Sequence, residues 1–277
     1  MKKNKPSLLL IQGCYTITTM GIIIFVLGLV FGSFANVVIY RLPKGKSIVR
    51  PGSQCPSCGK NILWYDNIPL LSFLLLKGKC RFCKVKISPR YFVVELITGL
   101  LFLSLYFKFG LTINLLIYTF FTLCLLIMGF IDIDTYLISD VIVLPGIVIG
   151  LLCSIFFRGM HYELTGIESI WYSFIGILTG CGILIFLAMI GRLLFKKEAM
   201  GGGDIKLLSM IGAFLGWKSV FITIFFASLL GTVISLTLIG LKKKKMEDYV
   251  PFGPYLGLGA IIALFYKGLV FLGFFIN

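Results

Sequence analysis

Long apolar runs separated by shorter polar stretches dominate this chain. The runs cover residues 20–40, 91–107, 112–131, 137–157, 170–191, 207–241 and 254–276. Most approach the ~20 residues that a helix needs to cross a bilayer. The first is too long for a secretory signal and lacks its small-residue cleavage site, so it predicts a retained helix. A polar segment of about 50 residues follows it. The run 207–241 fits either one long span or two short ones that turn near Gly216, Trp217 and Lys218. If there are two, the first has about 11 residues, or roughly 16 Å at ~1.5 Å per residue. A helix that short has to be extended, tilted, or buried beside a water-filled cavity.

Composition makes the membrane reading firm. The chain is 58% hydrophobic and 13% charged, with a mean hydropathy of +1.02. Soluble globular proteins lie outside that range. The net charge of +15 raises nucleic acid as a partner, but its placement argues against one. Lys and Arg concentrate at 41–90, 192–206 and 242–245, the asymmetry of cytoplasmic loops. Orientation and contact with anionic membrane lipid account for it, and no nucleic acid is expected. Placing 242–245 inside requires two spans in 207–241. The expected fold is therefore an all-α polytopic membrane protein of about eight transmembrane helices, both termini outside, with a small cytoplasmic four-cysteine loop. Lys2, Lys3 and Lys5 run against this orientation but are outnumbered by the 11 cations of 41–90.

That first loop contains "CPSCGK" at 55–60 and "CRFCK" at 80–84. Two Cys-x-x-Cys pairs about 21 residues apart are the spacing of a four-thiolate zinc site. Cys55, Cys58, Cys80 and Cys83 are the expected ligands of a structural zinc. Lys79, Arg81 and Lys84 favour their thiolate forms. A reducing cytoplasm argues against disulfides. Cys14, Cys124, Cys153 and Cys181 sit in apolar chain and read as packing residues.

Acids are scarce, 11 in all, yet "IDIDTYLISD" at 131–140 carries Asp132, Asp134 and Asp140 where a span ends. "MGGGDIKLL" at 200–208 places Asp204 where another begins, at the same depth. An acid at a span marks a functional site by default. Helix capping by Asp204 or Asp140, and a solvated turn for Asp134, are the plainer alternatives. Two close carboxylates do not both ionise easily, so one keeps a proton while the other acts as base toward water. The glycines before Asp204 leave room for an extended substrate backbone.

The chain resembles the type IV prepilin peptidases, bifunctional membrane enzymes of the GxGD aspartyl-protease group. The resemblance rests on "GSFANVVIYRLP" (32–43), the paired cysteines, "NIPLLSFLLLKGKC" (67–80), "RYFVVELITG" (90–99), "IDIDTYLISD", "MGGGDIKLL" and "PFGPYLGLGA" (251–260), in that order. Ser139 stands where the family often has Pro. By position the resemblance implies catalytic Asp132 and Asp204. Gly201, Gly202, Gly203, Lys206, Pro251, Phe252, Gly253 and Pro254 form the expected active-site loops. It implies removal of a short basic leader from prepilins or pseudopilins on the cytoplasmic side of a bacterial inner membrane. N-methylation with S-adenosylmethionine is implied as well, with Asn36, Arg41 and Glu95 as candidate residues within 32–99. The expected organisation is a tail (1–19), an N-terminal region with the zinc loop at about 41–90 (20–108), a peptidase domain (109–241), and a basic loop with a last helix (242–277). Ion-coupled transport and an inactive zinc scaffold are the rivals from other classes.

Overall fold

Apolar side chains without a competing partner for the backbone make helices, and helices account for the architecture seen in a computed structural model. It describes residues 8–157, 167–195, 201–243 and 249–266, with side chains from 18 onward except that of Phe195. Lys2, Lys3, Lys5, most of the 158–169 loop, Lys244 and Lys245 lie outside the described residues. Nine α-helices appear among the described residues: α1 (Leu8–Arg41), α2 (Leu71–Leu75), α3 (Arg90–Phe109), α4 (Ile113–Thr135), α5 (Asp140–Phe156), α6 (Ile167–Phe195), α7 (Gly202–Leu215), α8 (Trp217–Gly240) and α9 (Gly253–Phe265). Two isolated bridges are the only extended pairing among those residues.

Five stretches are long and apolar enough to cross a membrane: Thr18–Lys44, Arg90–Phe109, Ile113–Thr135, Ile167–Leu194 and Trp217–Gly240. This confirms a multi-pass helical membrane protein, but five spans are found where eight were expected. The shortfall has a physical basis. Helices α5 and α9 are apolar but have only 17 and 13 described residues. The end of the expected last span, beyond residue 266, lies outside the described residues.

The chain divides into two compact units, residues 1–119 and 120–277. In the first, α1 packs along α3. Gly28 and Gly32, one helical turn apart, bring the two backbones together: a Cβ at Gly32 would stand 2.7 Å from the Cα of Glu95. Small residues at this spacing are a common solution for helices packing in lipid. Phe109 stacks on Tyr118 with ring centroids 4.7 Å apart.

In the second unit the turn at Gly216 divides 207–241 as the charge pattern required. Helix α7 has 14 residues, three more than expected, because it begins among the glycines at Gly202. Its length of about 21 Å is still short of a span. Burial resolves the problem: every residue from Leu207 to Leu215 is buried. Helices α5, α6, α8 and α9 all pack on α7. Gly176 of α6 and Gly212 of α7 meet backbone to backbone, with no space for a Cβ on either. The Ser173 hydroxyl donates to the Ala213 carbonyl at 2.8 Å, and Phe214 stacks on Phe121 of α4 at 4.7 Å.

Candidate active site and metal centre

At one end of the second unit, the C-terminus of α4 meets the N-termini of α5, α7 and α9. The polar sequence 132–135 does not stop α4 at residue 131; its last turn continues to Thr135, whose hydroxyl donates to the Ile131 carbonyl at 2.9 Å. Asp132 therefore lies inside the helix and is 4% exposed. One of its carboxylate oxygens accepts the N–H of Gly253, the first residue of α9, at 2.8 Å. Gly129, one turn earlier on the same face of α4, allows Pro254 to approach, its Cα 3.4 Å from where a Cβ would be. The N-terminus of α9, a natural anion cradle, is thus seated on Asp132.

Gly253 has a more specific reason to be glycine than a bend in the chain. A Cβ there would lie 2.8 Å from a carboxylate oxygen of Asp132 and 3.2 Å from its Cγ. Pro254 sits in the first turn of α9, where its missing N–H costs nothing. Pro251 and Phe252 lead into that turn half-buried, and Tyr249 meets Tyr136 edge-to-face at 6.3 Å.

Asp204 is the third residue of α7, with Gly201 at the N-cap. Its carboxylate accepts the Gly201 N–H, so it contributes to capping the helix. It also stands close enough to Asp132 for the two charges to act on each other. None of Gly201, Gly202 and Gly203 has a positive φ, so backbone conformation does not demand them. A Cβ at Gly203 would collide with Ile138 at 2.8 Å, whereas one at Gly202 would meet nothing among the described residues. Asp134 lies exposed in the last turn of α4 rather than in a loop. Asp140 opens α5, and both of its oxygens accept from Lys206 Nζ at 2.8 Å, tying the start of α5 to the second turn of α7. Sequence gave no signal of this ion pair between exposed side chains.

The four loop cysteines of the first unit come together, with every sulfur within 4.8 Å of the others. Cys55 Sγ and Cys83 Sγ are 3.8 Å apart. Sulfurs ~2.3 Å from a tetrahedral zinc stand about 3.8 Å from each other, so the donor set fits that ion. Each pair sits on the same turn. Gly59 N–H donates to Cys55 O and Cys55 N–H to Lys60 O; Lys84 N–H donates to Cys80 O and Cys80 N–H to Val85 O. Gly59 and Lys84, each four residues after the first cysteine, both have positive φ. The equivalence was readable as a repeat of spacing, but the second turn hides it by using Lys where the first has Gly. The N–H groups of Cys83 and then Phe82 draw the Cys80 thiol down to about 6, favouring the thiolate. Despite the Val85 N–H, desolvation and the neighbouring thiols push Cys83 up to about 11.

The candidate methyl-transfer residues have structural partners. Asn36 donates to the Tyr91 carbonyl at 3.0 Å. Arg41 donates to the carbonyls of Ser47, Pro51 and Gly52. Buried Glu95 accepts the Leu70 N–H at 2.9 Å. All three side chains are thus engaged by backbone groups of the protein itself.

A profile described as the bacterial peptidase A24 N-terminal domain matches residues 26–109. One described as the type IV leader peptidase family matches residues 119–236. Among curated relatives, a prepilin leader peptidase/N-methyltransferase of Myxococcus xanthus is 39% identical over 218 residues, 79% of this chain and 63% of that one. Proteins of the same name are 37% identical in Pseudomonas aeruginosa (86% of this chain, 87% of the relative) and 41% in Klebsiella pneumoniae (75% and 90%). No solved structure matches.

Proposed function

The chain belongs to the type IV leader peptidase family, and on that premise we propose that it is a membrane aspartic endopeptidase acting on prepilins or pseudopilins. It removes their short basic leader on the cytoplasmic side of a bacterial inner membrane. It also methylates the new N-terminal residue with S-adenosylmethionine. The observation that carries the peptidase reading is that Asp132 and Asp204, from helices far apart in sequence, lie close enough for their charges to interact, with Asp132 held by the α9 N-terminus.

The two acids share one proton. The ionised carboxylate takes a proton from water as the water oxygen bonds to the scissile carbonyl carbon. The protonated partner hydrogen-bonds the carbonyl oxygen, and the leaving amine is protonated as the C–N bond breaks. General acid–base help of this kind is worth roughly 10²–10⁴-fold. The open side of Gly201 and Gly202 is where the substrate backbone approaches, with Gly203 packed behind it. Lys206 positions the loop through Asp140, and Pro251 to Pro254 carry the donor that orients Asp132. Methylation is supported by the name that the relatives share, prepilin leader peptidase/N-methyltransferase.

Cys55, Cys58, Cys80 and Cys83 hold a structural zinc, which cross-links the loop and takes no part in cleavage. The partners are the pilin-like substrate and membrane lipid, not nucleic acid. The test is a coupled assay in detergent or vesicles. Purified protein, S-adenosylmethionine and a synthetic prepilin from the same genome should yield a product lighter by the leader and heavier by one methyl. Cleavage without added methyl would restrict the reading to the peptidase, and no cleavage would overturn it.

A further inference from the structure

We propose that residues 64–75 are a membrane-interface element, their apolar face embedded at the headgroup–acyl boundary of an anionic bilayer. Helix α2 is short, but its two faces differ. On one, Ser72 donates to the Tyr65 carbonyl at 2.9 Å and Phe73 meets Phe92 of α3 at 5.5 Å. On the other, Leu71, Leu74 and Leu75 are 57%, 61% and 78% exposed, at the i, i+3, i+4 spacing of one helical stripe. Trp64, 81% exposed, stacks edge-on against Tyr65 in the segment to which Ser72 is bonded. The segment 64–75 therefore exposes four large apolar side chains, three of them on one stripe of α2 and Trp64 a few residues before it.

The depth of this surface argues for lipid. The Leu70 N–H reaches Glu95, the sixth residue of α3, and Glu95 lies against Gly32 of α1. At 1.5 Å per residue, Glu95 is about 7.5 Å inside the start of its helix. Both helices are long and apolar enough to be spans, so the leucines of α2, which follow Leu70 directly, sit level with the start of α3. Apolar side chains at that level meet acyl chains, and Trp and Tyr concentrate at the same boundary. Charge agrees. Residues 41–90 carry 11 Lys and Arg against one acid, Asp66, which is paired with Arg81 at 2.6 Å. Net cations beside an inserted apolar face suit an anionic headgroup layer.

The experiment uses the full zinc-loaded chain reconstituted in phosphatidylcholine vesicles containing phosphatidylglycerol. The emission of Trp64 is isolated as the difference between parent and Trp64→Phe. A lipid spin-labelled near the headgroup should remove most of that emission, and aqueous acrylamide should remove little. Leu75→Asp should weaken the lipid quenching while zinc content stays unchanged. Quenching by acrylamide alone would place the face in water and overturn the proposal. Protection from both quenchers would mean that protein, such as a second copy or the substrate, covers it, and would overturn the proposal equally. Unchanged lipid quenching in Leu75→Asp would remove the leucine stripe from the account.

Discussion

Adding one methyl group at Gly253 is the sharpest probe of how Asp132 is held. The new Cβ would start 2.8 Å from the carboxylate oxygen and 3.2 Å from Cγ. Ordinary contact needs about 3.4 Å or more, so the carboxylate has to retreat by roughly half an ångström. Helices α7 and α8, which pack on α9, leave it little room to move away instead. Retreat stretches the Gly253 N–H bond from its present 2.8 Å. A hydrogen bond to a charged group contributes about 1.5–3 kcal/mol. Misplacing a reacting group by ~1 Å can cost about 10²-fold in rate. Gly253→Ala should therefore lower kcat by roughly 10- to 100-fold, with KM changed less. The control is Gly257→Ala, one turn along the same helix, where a Cβ would make an ordinary contact with the Leu125 carbonyl at 3.6 Å. It should cleave like the parent. Both variants would be purified and assayed for initial rates of leader release. Full kcat in Gly253→Ala, or an equal loss in Gly257→Ala, would refute the claim that this contact sets the carboxylate.

Three further outcomes follow from other parts of the molecule. Gly202→Ala should fold normally, since its Cβ meets nothing among the described residues, yet raise KM if substrate backbone passes there; an unchanged KM would remove the loop from the substrate path. Protein purified without added metal should contain about one zinc per chain, and stripping it should expose the loop 50–90 to protease, since structural zinc supplies folding free energy; intact resistance after metal loss would contradict this. Arg81 hydrogen bonds, and then its charge, hold the Asp66 carboxyl below its ordinary value of 3.8. Because the folded pKa is the depressed one, this pair supports the loop fully above that ordinary value and is lost as pH falls through the depressed one. Arg81→Gln should move the Asp66 midpoint upward by NMR, and an unmoved midpoint would exclude the pairing.

Much of the site was legible because membrane chemistry makes polar residues conspicuous. Asp132 and Asp204 stood out as acids at the ends of apolar runs, and loop charge alone divided 207–241 at Gly216. Hydropathy failed where a helix does not end with its apolar stretch, so α4 ran on through Asp132 to Thr135. It also failed for α7, whose nine buried residues Leu207 to Leu215 are covered by neighbouring helices and need no bilayer length. The bond from Gly253 to Asp132 spans 121 residues, and the Asp140–Lys206 pair spans 66. Neither leaves a local pattern, because both depend on how helix ends converge. The loop 41–90 read as polar, and only its fold shows that Leu71, Leu74 and Leu75 share an exposed face.

The central claim is that Asp132 and Asp204 act together in peptide cleavage, and the direct measurement is cleavage by Asp132→Asn and Asp204→Asn. Asn keeps the size and a hydrogen-bond acceptor, so both variants should retain the fold and the zinc. Each alone should abolish leader removal from a synthetic prepilin, while methylation of an already processed peptide continues. Leader removal at the parent rate by either variant, with folding and metal content intact, would contradict the account.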